Sequence, residues 1–134
     1  MSVFFDTNII VYAVTQNGTK STVAHQCLSK GGVISVQVLN EFVSVARRKL
    51  RLEWPEVQRL LSSAQTFCSQ PYPVTLETHV EALQIAERYG YSIYDATIIA
   101  SALLAGCDTL YSEDMQDGQQ IGTVTIRNPF TAKA

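Results

Sequence analysis

Val3-Phe4-Phe5-Asp6-Thr7-Asn8, near the start of the chain, decides the fold. The apolar run from Val3 to Phe5 is short and ends at a charged residue, which predicts a buried strand. The polar residues that follow can begin a helix, and Asp6 is of the residue type that caps one. We expect that helix from about Asn8 to Thr15. A buried strand leading directly into a helix is typical of a parallel sheet.

The rest of the chain alternates in the same way between short apolar runs and helical patterns. Further strands are predicted at Val33 to Val36, at Thr109 to Tyr111 and, as a final edge strand, at Thr123 to Arg127. Helices are predicted from about Ser21 to Lys30, Gln37 to Leu50, Pro55 to Cys68, Leu76 to Tyr89, and from a Ser92 cap to about Ala105. Strands separated by helices indicate an α/β fold, a three-layer α/β/α sandwich with a mostly parallel sheet.

The composition limits the class of protein. The 134 residues suffice for one domain, residues 1–134, and 46% of them are hydrophobic. A net charge of −2 counts against a broad phosphate-binding surface, but not against an enzyme that docks phosphate through metal. The cysteines Cys27, Cys68 and Cys107 form no CxxC pair, so we interpret them as core residues in a reducing compartment.

Neither the first residues nor the longest apolar region indicates export or membrane insertion. No basic stretch precedes the apolar run that begins the chain, and Asp6 interrupts that run, unlike a signal peptide. The region from Ile93 to Cys107 contains Asp95 and is shorter than a membrane span requires. We therefore expect a cytoplasmic protein without a membrane partner.

Four acidic residues fall near the expected carboxyl ends of the strands. Asp6 follows the first strand, and Glu41 lies in the early turns of the helix after the second. Asp95 lies in the first turn of the helix that Ser92 caps, and Asp114 comes three residues after the strand ending at residue 111. Ligands of open parallel sheets gather at this edge, so we expect the four carboxylates to converge there.

Three of these acids also have an ordinary structural explanation. Asp6 could simply cap the first helix. Glu41 lies well off the apolar face of its helix, where a solvated glutamate is expected. Asp114 could be a turn residue within Ser112-Glu113-Asp114-Met115. Taken singly, these three residues therefore leave both interpretations open.

Asp95 is harder to explain structurally. It is the only charged residue between Arg88 and Asp108, and it shares a helical face with apolar residues such as Ile99 and Leu103. A buried carboxylate without a partner costs several kcal/mol or becomes protonated. No lysine or arginine lies nearby in the sequence to pair with it. A metal ion, or a polar pocket open to solvent, is the simplest way to accommodate Asp95.

Convergence of the four acids would itself favour a metal site. Two carboxylates about 4 Å apart repel by roughly 4 kcal/mol at an effective dielectric near 20, so four together need a cation. Oxygen ligands without histidine or cysteine select Mg²⁺ or Mn²⁺ over zinc or copper. Mg²⁺ keeps waters and uses few carboxylates, which leaves coordination sites for a phosphate and an attacking water.

Four short motifs, taken in order, resemble the PIN domain family. They are the Phe5-Asp6-Thr7-Asn8 start, Leu39-Asn40-Glu41-Phe42, the Tyr94-Asp95-Ala96 helix start and Ser112-Glu113-Asp114. The resemblance covers essentially the whole chain, whose size and spacing are similar to the VapC-type ribonuclease toxins of type II toxin–antitoxin systems. Each motif is weak alone, and the specific signal is their order and spacing.

The resemblance carries expectations about fold, activity and site. It implies an about five-stranded parallel sheet, Mg²⁺- or Mn²⁺-dependent endoribonuclease activity, a homodimer and inhibition by a small cognate antitoxin protein. By motif position, the catalytic and metal-binding acids are Asp6, Glu41, Asp95 and Asp114. Ser112 matches the family's small hydroxyl residue, and Asn8 matches a polar residue that supports the site.

The chain departs from the family pattern after Ser112. Many relatives read Asp-x-Asp-Phe there, whereas this chain reads Asp114-Met-Gln-Asp117-Gly118-Gln. Asp117 is therefore either a fifth, outer metal contact or a turn residue before Gly118. The later stretch from Ile126 to Phe130 looks like a subset of PIN proteins that share this variant.

The residues that would grip RNA are less clearly marked. Arg47, Arg48, Lys49 and Arg51 place four positive charges within five residues. They either complement the dipole at a helix C-terminus, the interpretation we slightly favour, or contact RNA phosphates. Trp54, Tyr91 and Tyr94 could stack on bases, although packing is the simpler explanation.

Two alternative functions remain open at the level of sequence. One is a PIN-fold protein that binds RNA or a partner without cutting. The other is a receiver-like, Mg²⁺-binding signalling domain, which needs a late lysine, whereas this chain has none between Lys49 and Lys133. The four acids favour the nuclease over the first alternative, and the missing lysine counts against the second.

Overall fold

A computed structural model describes residues 2–68 and 70–131. Its strands are β1 (Val3–Phe5), β2 (Thr109–Tyr111), β3 (Gln120–Ile121) and β4 (Val124–Arg127). Its helices are α1 (Thr7–Val14), α2 (Gly18–Ser29), α3 (Val36–Arg48), α4 (Trp54–Phe67), α5 (Leu76–Tyr89) and α6 (Ile93–Leu104). Most predicted elements are present, with ends that shift by one to three residues. α2, for example, begins at Gly18 and not at Ser21.

The described strands form one sheet in the order β1-β2-β4-β3. β1 pairs with β2 in parallel, β2 pairs with β4 in parallel, and β3 pairs with β4 in antiparallel orientation. Phe5 is the register partner of Tyr111, so β1 and β2 end side by side. The predicted class, an α/β fold with a mostly parallel sheet, is confirmed.

The predicted second strand is reduced to isolated bridges. Val33 pairs with Phe4, and its N–H and C=O bond to the backbone of Val3 and Phe5, both at 2.9 Å. Ser35 pairs with Tyr72 and then turns away to cap α3, where its hydroxyl accepts a hydrogen bond from the Val38 N–H at 3.3 Å. Because the chain leaves for α3 at once, no regular strand forms, and the structure describes four strands and not about five.

The end of the sheet also differs from expectation. β4 was predicted as an edge strand, but it lies between β2 and β3. β3 has only two residues and no apolar alternation, so the sequence carried no signal for it. Gly122 has a φ of 58°, a left-handed conformation that suits glycine, and it closes the β3–β4 turn.

α6 is the central helix of the core. Every residue from Ala96 to Ala102 is buried, and α6 packs against α5, α3 and strands β2 and β4. A helix that is apolar on all sides belongs in an interior, which explains why its amphipathic signal is weak. Its first turn reaches the carboxyl edge of the sheet and carries Asp95 there. Across the described ranges, no helix has the length and apolar character needed to cross a membrane.

Candidate active site

A cleft of about 320 Å³ opens where β1 and β2 end. The structure brings all four predicted acids to its walls, namely Asp6, Glu41, Asp95 and Asp114. Its other lining residues are Thr7, Asn8, Val11, Tyr12, Val45, Lys49, Leu50 and Glu113. The cleft is thus acidic around the strand ends, with an apolar wall and one lysine beside them.

Asp6 caps α1 and faces the cleft at the same time. One carboxylate oxygen accepts a hydrogen bond from the Thr7 N–H at 2.6 Å, and the other accepts from the Ser112 hydroxyl at 2.7 Å. The residue is only 3% exposed. Burial raises its pKa to about 7, and repulsion from Asp95 and Glu41 adds to this, although the two hydrogen bonds oppose the rise. Asp6 therefore does cap α1, and its place on the cleft wall is compatible with the predicted functional role as well.

Asn8 and Ser112 connect the acids that follow β1 and β2. The Asn8 amide donates to Asp114 Oδ2 at 3.2 Å and to Asp6 Oδ2 at 3.4 Å. The buried Ser112 hydroxyl, besides donating to Asp6, accepts from the Asp114 N–H at 3.2 Å. Asn8 and Ser112 therefore each contact both Asp6 and Asp114, as expected of residues that orient these two carboxylates.

Glu41 is held by two residues that the sequence analysis did not single out. The Thr7 hydroxyl donates to one carboxylate oxygen at 2.8 Å, and the Gln37 amide donates to the other at 2.9 Å. Gln37 precedes Glu41 by one helical turn, so that pair could have been inferred from spacing. The contact with Thr7 joins α3 to the N-terminus of α1. Because the two residues are 34 positions apart, the local sequence does not predict it.

Asp95 enters the cleft from the first turn of α6, which the Ser92 hydroxyl caps by accepting from the Asp95 N–H at 3.1 Å. Its side chain is half-buried and faces the cleft. Burial raises its pKa, and repulsion from Glu41 and Asp114 raises it further. No described residue donates a hydrogen bond to its carboxylate. A carboxylate kept in so unfavourable a position is typical of functional sites.

Glu113 is a fifth acid on the cleft wall that the sequence analysis missed. Its carboxylate accepts from the Tyr12 hydroxyl and forms an ion pair with Lys20. Burial alone would raise the pKa of Glu113, but the hydrogen bonds from Lys20 and Tyr12 outweigh it and leave the pKa below its usual value. Unlike the other four acids, Glu113 has its charge balanced by a lysine.

Asp117 lies outside the cleft. Its carboxylate accepts a hydrogen bond from the Asn128 N–H at 2.9 Å and borders a different cavity, between β2 and β4. Gly118 follows it with a φ of 86°. This is the turn role that the sequence left open, and the placement offers no support for an outer metal contact.

The basic cluster is divided by the structure. Lys49 lines the cleft, whereas Arg48 and Arg51 are exposed elsewhere. Arg47 donates to the Leu52 carbonyl at 2.8 Å and lies 4.5 Å from the centre of the exposed Trp54 ring. It therefore closes the end of α3. Of the tyrosines, Tyr91 donates to Gln119, and Tyr94 is exposed.

The donor set of the cleft suits a hard divalent cation. All four predicted ligands offer carboxylate oxygens, and none of them forms an ion pair with a basic side chain within residues 2–68 and 70–131. In that same part of the chain, no three acidic, histidine or cysteine side chains already form a metal-ligand group. Mg²⁺ keeps several waters and needs only one or two carboxylates, so these residues fit an ion held partly through water.

Comparisons with known structures agree on the fold. A chain from a toxin–antitoxin complex of Klebsiella pneumoniae is 21% identical, over 96% of this chain and 98% of that one, with a TM-score of 0.72. VapC20 of Mycobacterium tuberculosis, a sarcin–ricin loop cleaving toxin, is 21% identical over 84% and 90%, with a TM-score of 0.70. A chain of VapBC2 from Rickettsia felis, bound to a DNA fragment from its promoter, is 20% identical over 96% and 98%, also at 0.70.

The family assignment comes from the sequence profile. No curated protein matches the chain. The profile of the PIN domain, however, matches residues 3–116. The matched range contains β1 and all four predicted acids of the cleft, and the match excludes the receiver-like alternative. The chain therefore belongs to the PIN domain family.

Proposed function

We propose that this PIN domain is a Mg²⁺- or Mn²⁺-dependent endoribonuclease that hydrolyses phosphodiester bonds in RNA. The observation that carries the proposal is the convergence of Asp6, Glu41, Asp95 and Asp114 on one cleft without a basic partner in the described structure. PIN-domain nucleases generally use divalent metal ions. The structurally similar VapC20 is a sarcin–ricin loop cleaving toxin.

The residues of the cleft divide the chemistry among them. A bound divalent ion would lower the pKa of water and offset negative charge on the phosphate. Asp6 and Asp114, oriented by Ser112 and Asn8, would hold that ion from the strand ends. Asp95 has a carboxylate to which no described residue donates, so its Oδ atoms are free to accept a proton from the attacking water. Glu41 and Asp95 would complete the donor set.

The biological setting follows from the same relatives. We infer that the chain is the toxin of a toxin–antitoxin pair and that a cognate antitoxin protein is its partner, because similar chains come from such complexes. We propose that residues 1–134 act as one nuclease domain within a homodimer. The cytoplasmic location expected from sequence stays a prediction.

A cleavage assay tests the proposal. Labelled total RNA is incubated with the protein and either Mg²⁺, Mn²⁺ or a chelator, and the cut sites are mapped. We expect defined cuts with metal and none with chelator. Asp6→Asn and Asp95→Asn should each reduce cleavage by about 100-fold or more while the fold stays intact, because each removes a charge that binds metal.

Glu87→Gln is the matched control. Glu87 is an exposed acid on α5 and does not line the cleft, so this variant changes the charge equally and should cleave like the parent. Circular dichroism of each variant checks that the fold is kept. If Asp6→Asn and Asp95→Asn both cleave like the parent, the site assignment is wrong.

One observation favours a second candidate, a PIN-fold protein that binds RNA or a partner without cutting. The described carboxylates do not form a ready-made metal-ligand group. Calorimetric titration with Mn²⁺ separates the two functions. Binding that Asp6→Asn and Asp95→Asn weaken supports the nuclease. RNA binding that is equally strong with chelator, together with no Mn²⁺ binding and no cleavage, supports the second candidate.

A further inference from the structure

Glu113 lines the cleft together with the four predicted acids, but its carboxylate is bound by Tyr12 and Lys20. We propose that Lys20, Tyr12 and Glu113 form a clamp that positions Asp114 for its role in the cleft. This inference rests on the proposed function only in the role it gives Asp114, since the contacts themselves stand apart from it. We call the three residues the Glu113 clamp.

The contacts of Glu113 hold it at its side chain and its backbone. Both carboxylate oxygens are occupied, one by the Tyr12 hydroxyl at 2.5 Å and the other by the Lys20 ammonium group. Lys20 also donates to the Tyr12 hydroxyl at 3.3 Å and lies 4.9 Å from the centre of its ring. The Glu113 N–H donates to the Asn8 side chain at 3.3 Å.

This arrangement controls Asp114 because the two residues are adjacent on an irregular segment. Residues 113–115 form bends, so no helix or strand ladder fixes the direction of the exposed Asp114 side chain. Its contact with Asn8 is 3.2 Å long and solvent-exposed. Anchoring the neighbouring residue to α1 and α2 restricts how far Asp114 can swing. The clamp therefore acts on Asp114 by position and not by touching substrate.

The clamp also keeps a fifth carboxylate out of the donor set. Glu113 lines the same cleft as the four predicted ligands. Its ion pair with Lys20 balances its charge, and both oxygens already accept hydrogen bonds. Glu113 is thus an anchor and not a fifth ligand.

Residues that follow the range matched by the PIN domain profile, 3–116, pack against Tyr12 of the clamp or hold the residue that does. The Phe130 ring packs edge-on against Tyr12, with ring centres 4.9 Å apart. The Asn128 side chain accepts from the Phe130 N–H at 2.9 Å, and Asp117 in turn accepts from the Asn128 N–H. Asp117, Asn128 and Phe130 have no part in the cleft itself. Together they form a chain of contacts that ends at Tyr12.

The test compares Lys20→Met with Lys30→Met. Both lysines are on or next to α2 and both changes remove one positive charge, but Lys30 lies away from the cleft and is exposed. Amide hydrogen exchange is measured without metal, and the Mn²⁺ concentration for half-maximal binding is measured by calorimetry. For Lys20→Met we expect faster exchange at Glu113 and Asp114 and a roughly tenfold higher half-saturating Mn²⁺ concentration. Lys30→Met should match the parent in both measurements.

A charge swap separates clamping from a general effect of charge. Glu113→Lys alone should behave like Lys20→Met, and the double variant Lys20→Glu with Glu113→Lys should recover slow exchange and most of the Mn²⁺ affinity. Parent-like exchange and affinity in Lys20→Met would overturn the clamp. If the parent neither binds Mn²⁺ nor cuts RNA, the proposed function fails instead, and the exchange data alone still decide whether the clamp exists.

Discussion

The two halves of the cleft are built differently. The strand-end half consists of Asp6, Asn8, Ser112 and Asp114, which follow β1 and β2 and are joined by hydrogen bonds of 2.7 to 3.4 Å. The helix half consists of Glu41 on α3 and Asp95 on α6. Glu41 is held by two donors, whereas the Asp95 carboxylate has none among the described residues.

This difference teaches where rigidity comes from. Asp6 directly follows β1, so the register of the sheet positions it, whereas Asp114 is held through its hydrogen bonds with Asn8 and Ser112. The positions of the helix-half acids depend on how α3 and α6 pack, and no described residue donates a hydrogen bond to the Asp95 carboxylate. We expect the strand-end half to carry stability and the helix half to adjust on binding.

The largest expected contrast is in folding stability. Ser112→Ala removes a fully buried hydroxyl that donates to Asp6 and accepts from Asp114, so it should lower the free energy of unfolding by about 2 kcal/mol. Gln37→Ala removes one half-buried donor to Glu41, which keeps its contact with Thr7, and should cost under about 0.5 kcal/mol. Urea unfolding monitored by circular dichroism measures both. Equal losses in the two variants would contradict the division into halves.

The strand-end half should also make the stability and the metal affinity of the protein depend on pH, through Asp6. The folded pKa of Asp6, about 7, lies above its ordinary value of 3.8, so the folded metal-free protein binds this proton more tightly than the unfolded chain does. The contribution of Asp6 to stability is therefore present at low pH and is lost as pH rises from about 4 to about 7.

A divalent ion needs the ionised form of Asp6, so metal affinity should fall roughly tenfold from about pH 8 to about pH 6.

Calorimetry with Mn²⁺ at several pH values measures this affinity. Urea unfolding of the metal-free Asp6→Asn variant serves as the control, because it should lose the part of the pH dependence of stability that comes from Asp6. A metal affinity that stays constant between about pH 6 and about pH 8 would show that protons do not compete with metal for Asp6.

The smallest expected effect concerns the basic residues beside the helix half. Lys49 lines the cleft and Arg48 does not, although they are neighbours in sequence. In an inactive Asp95→Asn background, Lys49→Gln should weaken RNA binding two- to threefold and reduce the slope of log affinity against log salt by roughly 0.7, the value for one phosphate contact on a single strand. Arg48→Gln should change neither. Fluorescence anisotropy at several salt concentrations checks this, and equal effects of the two variants would remove Lys49 from the RNA path.

The sequence was sufficient where the signal is local. The limits of α5, Leu76–Tyr89, were predicted as observed, because Pro73 precedes the helix and Gly90 ends it. The Ser92 cap and the position of Asp95 in the first turn of α6 were predicted as well. The predicted strand at Val33 to Val36 was only partly correct, because its pairing with β1 depends on where α3 begins.

What the sequence by itself determined is the order of the six described helices and of β1, β2 and β4, the family, and which four acids meet in the cleft. Helical period, caps and strand ends act within a few residues, so they can be predicted without knowing the fold. Tertiary structure alone decided the contacts that bring distant residues to Glu41 and Glu113. Thr7 meets Glu41 across 34 residues and Lys20 meets Glu113 across 93, and both contacts exist only because distant segments pack around one sheet edge. The same packing pairs Glu113 with a lysine and gives the Asp95 carboxylate no donor among the described residues.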